Sequence, residues 1–391
     1  MNFNLTEAQK QWQVEVRQFL KENLTPQLQE EMREHEDKEM GPLEIEFKKK
    51  CAARSWNKLN WPVEEGGLNL TEMEKFILNE EFLYAGAPMV NDTASSIVAP
   101  SLFKYGTEAN KKLFLGPILQ GEMTFALGYS EPEAGSDLAS LKTTAVLDGD
   151  EWVINGQKTW NTYGHRTTHQ WLAARTGEEG SRHKGISLFI VPNDAEGLSM
   201  TRQYTWGDHT TNEVFLENVR VPKDYLIGEE NGGWIILTGA LDFERIMMGE
   251  VAVPRRSFDD ALQYAASTIL DDERVIDRTD VMERLIDLEI ELEIGQLFGY
   301  QAASKLDEGA DLSADASMMK VFATELYTKA SNLATSVMES FGILNWKDAE
   351  APFGGANEQL YRLAPFHRFG GGTNEVQRNI VAQRGLGLPR K

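Results

Sequence analysis

The sequence predicts an α+β fold in which a small β domain is set between two helical ones. Three features point to it. Helical periodicity fills residues 1–120, short β-rich runs with turn dipeptides occupy 121–228, and long helical patterns fill 229–391. At 391 residues the chain has ample capacity for a core shared by several domains.

Taken in order, the N-terminal helical domain (1–120) carries two capping boxes, Thr6-x-x-Gln9 and Thr71-x-x-Glu74. In each, a threonine hydroxyl and the side chain three residues on satisfy the free backbone amides that open a helix. After Gly121, LKTTAVLDGDEWVINGQKTWNT alternates β-rich runs with Asp148-Gly149 and Asn155-Gly156. Both dipeptides tolerate positive φ and predict hairpins. KGISLFIVP and NEVFLENVRVP continue as short strands ended by proline, and GEENGGW closes an antiparallel middle domain (121–228). The C-terminal helical domain (229–391) contains VMERLIDLEIELEIGQLFGYQAASKL. That segment is long enough for a bundle helix that also assembles subunits.

Composition narrows the function. Hydrophobic content of 41% and charged content of 26% describe an ordinary globular chain, and a net charge of −22 excludes a nucleic-acid partner, because phosphate binding needs a basic face. No stretch approaches the ~18 apolar residues of a membrane span. The start, MNFNLTEAQKQWQ, lacks the apolar core of a signal peptide, so a cytoplasmic location is expected. Cys51 is the only cysteine, which rules out internal disulfides and cysteine-rich metal sites. It reads as a structural or surface thiol. His165 and His169 are four apart, but TYGHRTTHQW falls in the β domain, where that spacing does not align side chains as it does on a helix. They read as surface or turn histidines, and no metal site is expected.

The segment GALDFERIMMG, Gly239 to Gly249, carries the chemistry. On a helix, Leu237, Ala240, Leu241, Glu244, Met247, Met248 and Val251 share one stripe. Asp242 and Arg245, three apart, meet on the neighbouring face. Glu244 is the lone carboxylate among apolar neighbours, and desolvation there would raise its pKa toward that of a proton-abstracting base. A solvated kink, or a glutamate satisfied by an arginine from elsewhere, would give the same pattern.

Four motifs then stand in order along nearly the whole chain: GYSEPEAGSD (Gly128–Asp137), KTWNTYG (Lys158–Gly164), DFER, and FGGGTNEVQRNIVAQRGLGLPR at the end. Together they resemble the acyl-CoA dehydrogenases, whose signatures read like TEP-x-AGSD, K-x-W-I-T and GTSEIQR. The resemblance implies an N-terminal helical domain, a middle β domain and a C-terminal four-helix bundle, with FAD between the last two. It implies α,β-desaturation of an acyl-CoA thioester: a carboxylate takes the α-proton while hydride leaves the β-carbon for flavin N5.

Carried over position by position, the family's flavin-ring contacts fall on Leu127, Tyr129 and Ser130 and on Trp160 and Thr162. Without the resemblance Trp160 would read as core. Ser136 matches the residue lying along the acyl-CoA, although a turn-stabilising serine looks the same. Gly372, Thr373 and Glu375 match the segment that approaches the FAD adenosine and pyrophosphate, and a plain glycine turn before a helix would look alike.

Two departures follow. Many relatives carry the catalytic glutamate where this chain has Gly371. Members similar to isovaleryl-CoA dehydrogenase carry it instead on the helix as D-x-E-R, which assigns the base to Glu244 and the lining or bracing of the CoA site to Asp242 and Arg245. Gly371 keeps a backbone role as N–H donor to the thioester oxygen. The second departure lies after ALQYA, where the family's Arg-x-x-Phe-Gly stretch, whose arginine reaches FAD of a neighbouring subunit, is replaced by ASTILDDERVIDRTD. Thr268 stands near the arginine's place, and acidic residues surround the substitutes Arg274 and Arg278.

The expected protein is an FAD-dependent acyl-CoA dehydrogenase, a homo- or hetero-oligomer (dimer or tetramer), passing electrons to an electron-transfer flavoprotein. An acyl-CoA oxidase and a non-catalytic or half-site subunit of a heteromeric enzyme are the alternatives. The ending GLGLPR resembles members acting on bulky or ring-bearing acyl groups.

Overall fold

A computed structural model describes residues 4–35, 38–89, 92–178, 180–239, 249–310 and 312–389. Among the described residues, six α-helices build the N-terminal part: α1 (Glu7–Asn23), α2 (Pro26–Glu34), α3 (Pro42–Ala52), α4 (Glu72–Ala85), α5 (Ala99–Tyr105) and α6 (Glu108–Gln120). Both expected capping boxes form, at Thr6 with Gln9 and at Thr71 with Glu74. A cluster of rings, Phe19, Phe47, Trp56 and Phe82, makes much of this core. Cys51 is buried within it, and burial pushes its thiol up to about 12, so it is inert as a nucleophile.

The middle part is one eight-stranded sheet. Its strands are β1 (Phe125–Gly128), β2 (Thr144–Asp148), β3 (Glu151–Lys158), β4 (His169–Arg175), β5 (Ile186–Pro192), β6 (Leu198–Tyr204), β7 (Thr210–Pro222) and β8 (Leu226–Ile227). They pair in the order β6-β7-β3-β2-β4-β5-β8, with β1 on β4. Three sequence expectations need correction. The sheet is mixed, because β1 runs parallel to β4, and β2 meets β4 in parallel at Thr144. β1 enters from α6 and reaches β4 only after the β2–β3 hairpin, a crossover that permits parallel pairing. Asp148-Gly149 does open that tight hairpin, with Asp148 facing Glu151. Asn155-Gly156 does not turn. It is a bulge inside β3, where the register against β7 shifts between Ile154 and Gly156. Gly156 has φ +153, and a Cβ there would lie 2.4 Å from Thr143 Oγ1, so only glycine fits. Finally, β7 spans 13 residues rather than forming a short strand.

The C-terminal part starts with α7, described over 233–239, and continues with α8 (Ala252–Ser267), α9 (Thr279–Asp307), α10 (Ser313–Val337), α11 (Ala356–His367) and α12 (Asn374–Ile380). The DFER motif lies outside the described residues. One part of the expected stripe can be corrected: Val251 is not helical but stands as N-cap of α8, with φ −107 and ψ 4. Pro254, in the first turn of α8, is tolerated there because it owes no hydrogen bond; in one unbroken helix its ring would strike the carbonyl four residues back. The long pattern expected for the bundle is α9, 29 residues. One face of it carries exposed Met282, Ile286, Ile290, Ile294 and Leu297. No helix of the described residues is long and apolar enough to cross a membrane.

Candidate active site

Two separated segments meet at the end of β1. Asn161 donates from Nδ2 to the carbonyl of Leu127 at 2.9 Å and to Gln170 Oε1 at 2.8 Å, and Thr159 N–H donates to the Ser130 carbonyl at 2.9 Å. These bonds bring Leu127, Tyr129 and Ser130 beside Trp160 and Thr162. Tyr129 is buried, while Trp160 is 62% exposed on a left-handed backbone, φ 57. A core role for Trp160 is excluded by this exposure.

A buried ion pair fixes the loop between them. Lys158 Nζ, fully buried, lies 2.8 Å from Glu131 Oε1, and Glu131 also accepts the backbone N–H of Lys142 at 2.6 Å and of Thr143 at 2.9 Å. Burial would raise the Glu131 carboxyl. The charge and hydrogen bond of Lys158, with the donors of Thr143 and Lys142, outweigh it and hold the group below the usual carboxylate range. Ser136 is exposed further along the loop, beside Asp137, which pairs with Arg182.

The terminal glycine segment is held from α10. Lys320, fully buried, donates to the carbonyls of Gly372 (2.9 Å) and Arg368 (3.2 Å) and to Asn374 Oδ1 (2.9 Å). Gly371 and Gly372 have φ +63 and +92, a left-handed backbone that glycine adopts most readily, and a Cβ on Gly372 would lie 2.7 Å from Gln377 Nε2. Thr373 caps α12 through Val376 N–H at 3.2 Å, and Glu375 is exposed in the first turn. A row of rings joins this segment to the β domain: Tyr163 to His209 (5.5 Å), His209 to Phe366 (6.0 Å), Phe366 to His367 (5.6 Å) and His367 to Tyr327 (4.2 Å). Burial, with His209 and Lys320 nearby, pushes His367 down to about 4, so it is neutral at pH 7. His169 is neither a turn nor a surface residue. It opens β4, partly buried, with its ring 5.6 Å from Phe125.

An exposed aromatic side chain, Trp160, and a glycine segment without side chains suit a flat heteroaromatic ring and a diphosphate respectively. The residues present therefore fit a flavin dinucleotide. Sequence reasoning missed Lys158, Glu131, Lys320 and Asn374. Lys320 stood alone in the apolar run MMKVFA, the same signal that singled out Glu244.

A cavity of about 530 Å³ lies between α4 and α5 on one side and α9 and α10 on the other, walled by Phe76, Ser101, Gly299, Ala302, Ala316 and Met319. Gly239 and Glu250, which bracket the DFER motif in the chain, both line it. Glu250 is 2% exposed, and neighbouring Glu80 accepts the N–H of Val251 at 3.1 Å. Arg274 and Arg278 are both occupied. Arg274 forms a two-bond pair with Asp277 (2.8 and 2.9 Å), and Arg278 bonds Glu339 at 2.9 Å.

Residues 6–122, 126–219 and 231–386 match the N-terminal, middle and C-terminal domains of acyl-CoA dehydrogenase. The chain belongs to the acyl-CoA dehydrogenase family, oxidoreductases whose members are FAD flavoproteins. Acyl-CoA dehydrogenase FadE26 of Mycobacterium tuberculosis is 36% identical over 398 residues, covering 100% of this chain and 99% of the relative. Among solved structures, the ChsE4-ChsE5 complex from Mycobacterium tuberculosis matches with a TM-score of 0.91 at 36% identity over 100% of both chains. A steroid acyl-CoA dehydrogenase, Tcur3481-Tcur3483, matches at 0.90 and 35%, again over 100% of both.

Proposed function

We propose that the chain desaturates a bulky, ring-bearing acyl-CoA with FAD, using Glu244 as the base. The observation that carries this reading is the position of Gly239 and Glu250, on either side of Asp242-Phe243-Glu244-Arg245, in the wall of a cavity of about 530 Å³. That volume lies within the ~300–1,000 Å³ of small-molecule sites. Small residues, Ala302, Ala303 and Ala316, supply width for rings. The matched steroid acyl-CoA dehydrogenase supports the substrate class.

Bound FAD would supply the two-electron acceptor for hydride from the β-carbon. Trp160, Leu127, Tyr129, Ser130 and Thr162 would hold its ring, and Gly372, Thr373 and Glu375 its adenosine and pyrophosphate. Glu244 would take the α-proton, and Gly371 N–H would stabilise negative charge on the thioester oxygen. Ser136, Asp242 and Arg245 would hold the CoA portion.

Arg274 and Arg278 are tied to carboxylates of their own chain. The arginine for the pyrophosphate would then come from a related subunit, docked on the exposed apolar face of α9. Two of the matched structures carry paired names, ChsE4-ChsE5 and Tcur3481-Tcur3483, which supports a hetero-oligomer. Electrons would leave to an electron-transfer flavoprotein. The test is an anaerobic panel of straight-chain and ring-bearing acyl-CoAs mixed with the purified flavoprotein, following the flavin band. Bleaching by ring-bearing members supports the reading; bleaching by none of the panel overturns it.

A further inference from the structure

The cavity wall mixes apolar side chains with polar ones such as Glu72 and Lys75, which pair with each other, and Glu250 is the one that calls for explanation. It is 2% exposed, lines the cavity, and its Oε2 has no hydrogen-bond partner. Buried polar atoms nearly always have partners, and leaving a carboxyl without one costs stability. A second unpartnered atom, Asn60 Nδ2, belongs to a residue lining the same cavity. We propose that Glu250 is a specificity residue whose carboxyl group hydrogen-bonds an oxygen substituent on the ring-bearing acyl part of the substrate. This rests on the acyl-CoA reading above.

The groups around Glu250 settle which partner it takes. Glu80 receives the N–H of Val251 at the start of α8, which favours its charge, but burial outweighs this and raises its carboxyl to about 7. Burial, together with repulsion from Glu80, raises the Glu250 carboxyl well above the usual range, which favours its protonated form, the one able to donate. Asn60 Nδ2 is a donor too. Two polar groups without partners on this wall, both able to donate, favour an acceptor oxygen, a ketone or a hydroxyl, over a plain hydrocarbon ring.

The experiment uses the assembled flavoprotein and a matched pair of non-oxidisable CoA thioethers, one with a ring ketone and one with the deoxy ring. Their Kd values are measured by calorimetry for wild type, Glu250→Gln and Glu250→Leu. Wild type is expected to favour the ketone by about 10-fold or more, and Glu250→Leu to collapse that ratio toward one. Glu250→Gln, still a donor, keeps part of it and guards against a folding failure of the leucine variant. Equal binding of the pair by wild type, or an unchanged ratio in Glu250→Leu, overturns the role of Glu250 while leaving the dehydrogenase reading intact. Binding of neither analogue overturns both.

Discussion

Lys320 in α10 holds its ammonium 2.9 Å from the carbonyl oxygen of Gly372, 52 residues further along the chain. Without it, that carbonyl, the Arg368 carbonyl and Asn374 Oδ1 lose a charged donor. Lys320→Met should therefore cost about 3 kcal/mol of stability: hydrogen bonds from a charged donor contribute about 1.5–3 kcal/mol each, and the loss is softened because each acceptor keeps a second donor, from Gln377 Nε2, the Asn374 N–H and Thr324 Oγ1. It should also release FAD more readily than wild type. Thermal unfolding and flavin content after gel filtration check this; full flavin retention at a lowered Tm would confine Lys320 to folding.

Glu244→Gln should keep FAD bound and lose about 10²–10⁴-fold in turnover, because an amide of the same shape accepts no proton. Stopped-flow flavin reduction measures it. More than a tenth of wild-type rate would remove Glu244 from the role of base.

Arg274→Ala and Arg278→Ala should leave flavin content unchanged, separately and together. Each guanidinium already faces a carboxylate of its own chain, and exposed pairs of this kind contribute only about 0–1 kcal/mol. Loss of FAD from the double variant would make one of them the pyrophosphate ligand and remove the need for a partner's arginine.

Burial raises Glu80 to about 7, against the backbone donors of Val251 and Ala252. A folded-state pKa above the unfolded value means stability fully present below the unfolded pKa, about 4.3, and lost as pH rises through about 7. Glu250 acts in the same direction. Wild-type Tm should fall between about pH 5 and pH 8, and Glu80→Gln, whose amide oxygen still accepts the Val251 N–H, should flatten that fall. Parallel Tm profiles for the two proteins would contradict it.

Local chemistry was legible in the sequence where the partners are neighbours. Thr6 with Gln9 and Thr71 with Glu74 close their capping boxes within one turn, so pattern alone finds them. Asp148-Gly149 and Asn155-Gly156 look equivalent, yet one turns and the other bulges. Both need positive φ at glycine; what separates them is β7 lying beside β3 and Thr143 pressing on Gly156, contacts no short window contains. The same limit hid the holders of the site. Glu131 finds Lys158 27 residues away, and only the sheet brings them together. Hydrophobicity alone would place Trp160 in the core, and neither its 62% exposure nor its left-handed backbone is visible in a residue list.

That left-handed tryptophan sets two selections against each other. At φ 57 a side chain costs roughly 1–2 kcal/mol that glycine escapes. A library at position 160 screened for heat tolerance alone should enrich glycine and asparagine. Screened for dehydrogenase turnover, it should return tryptophan and other flat rings. Disagreement between the two screens at this position would mark a residue retained for its work at the expense of the fold that carries it.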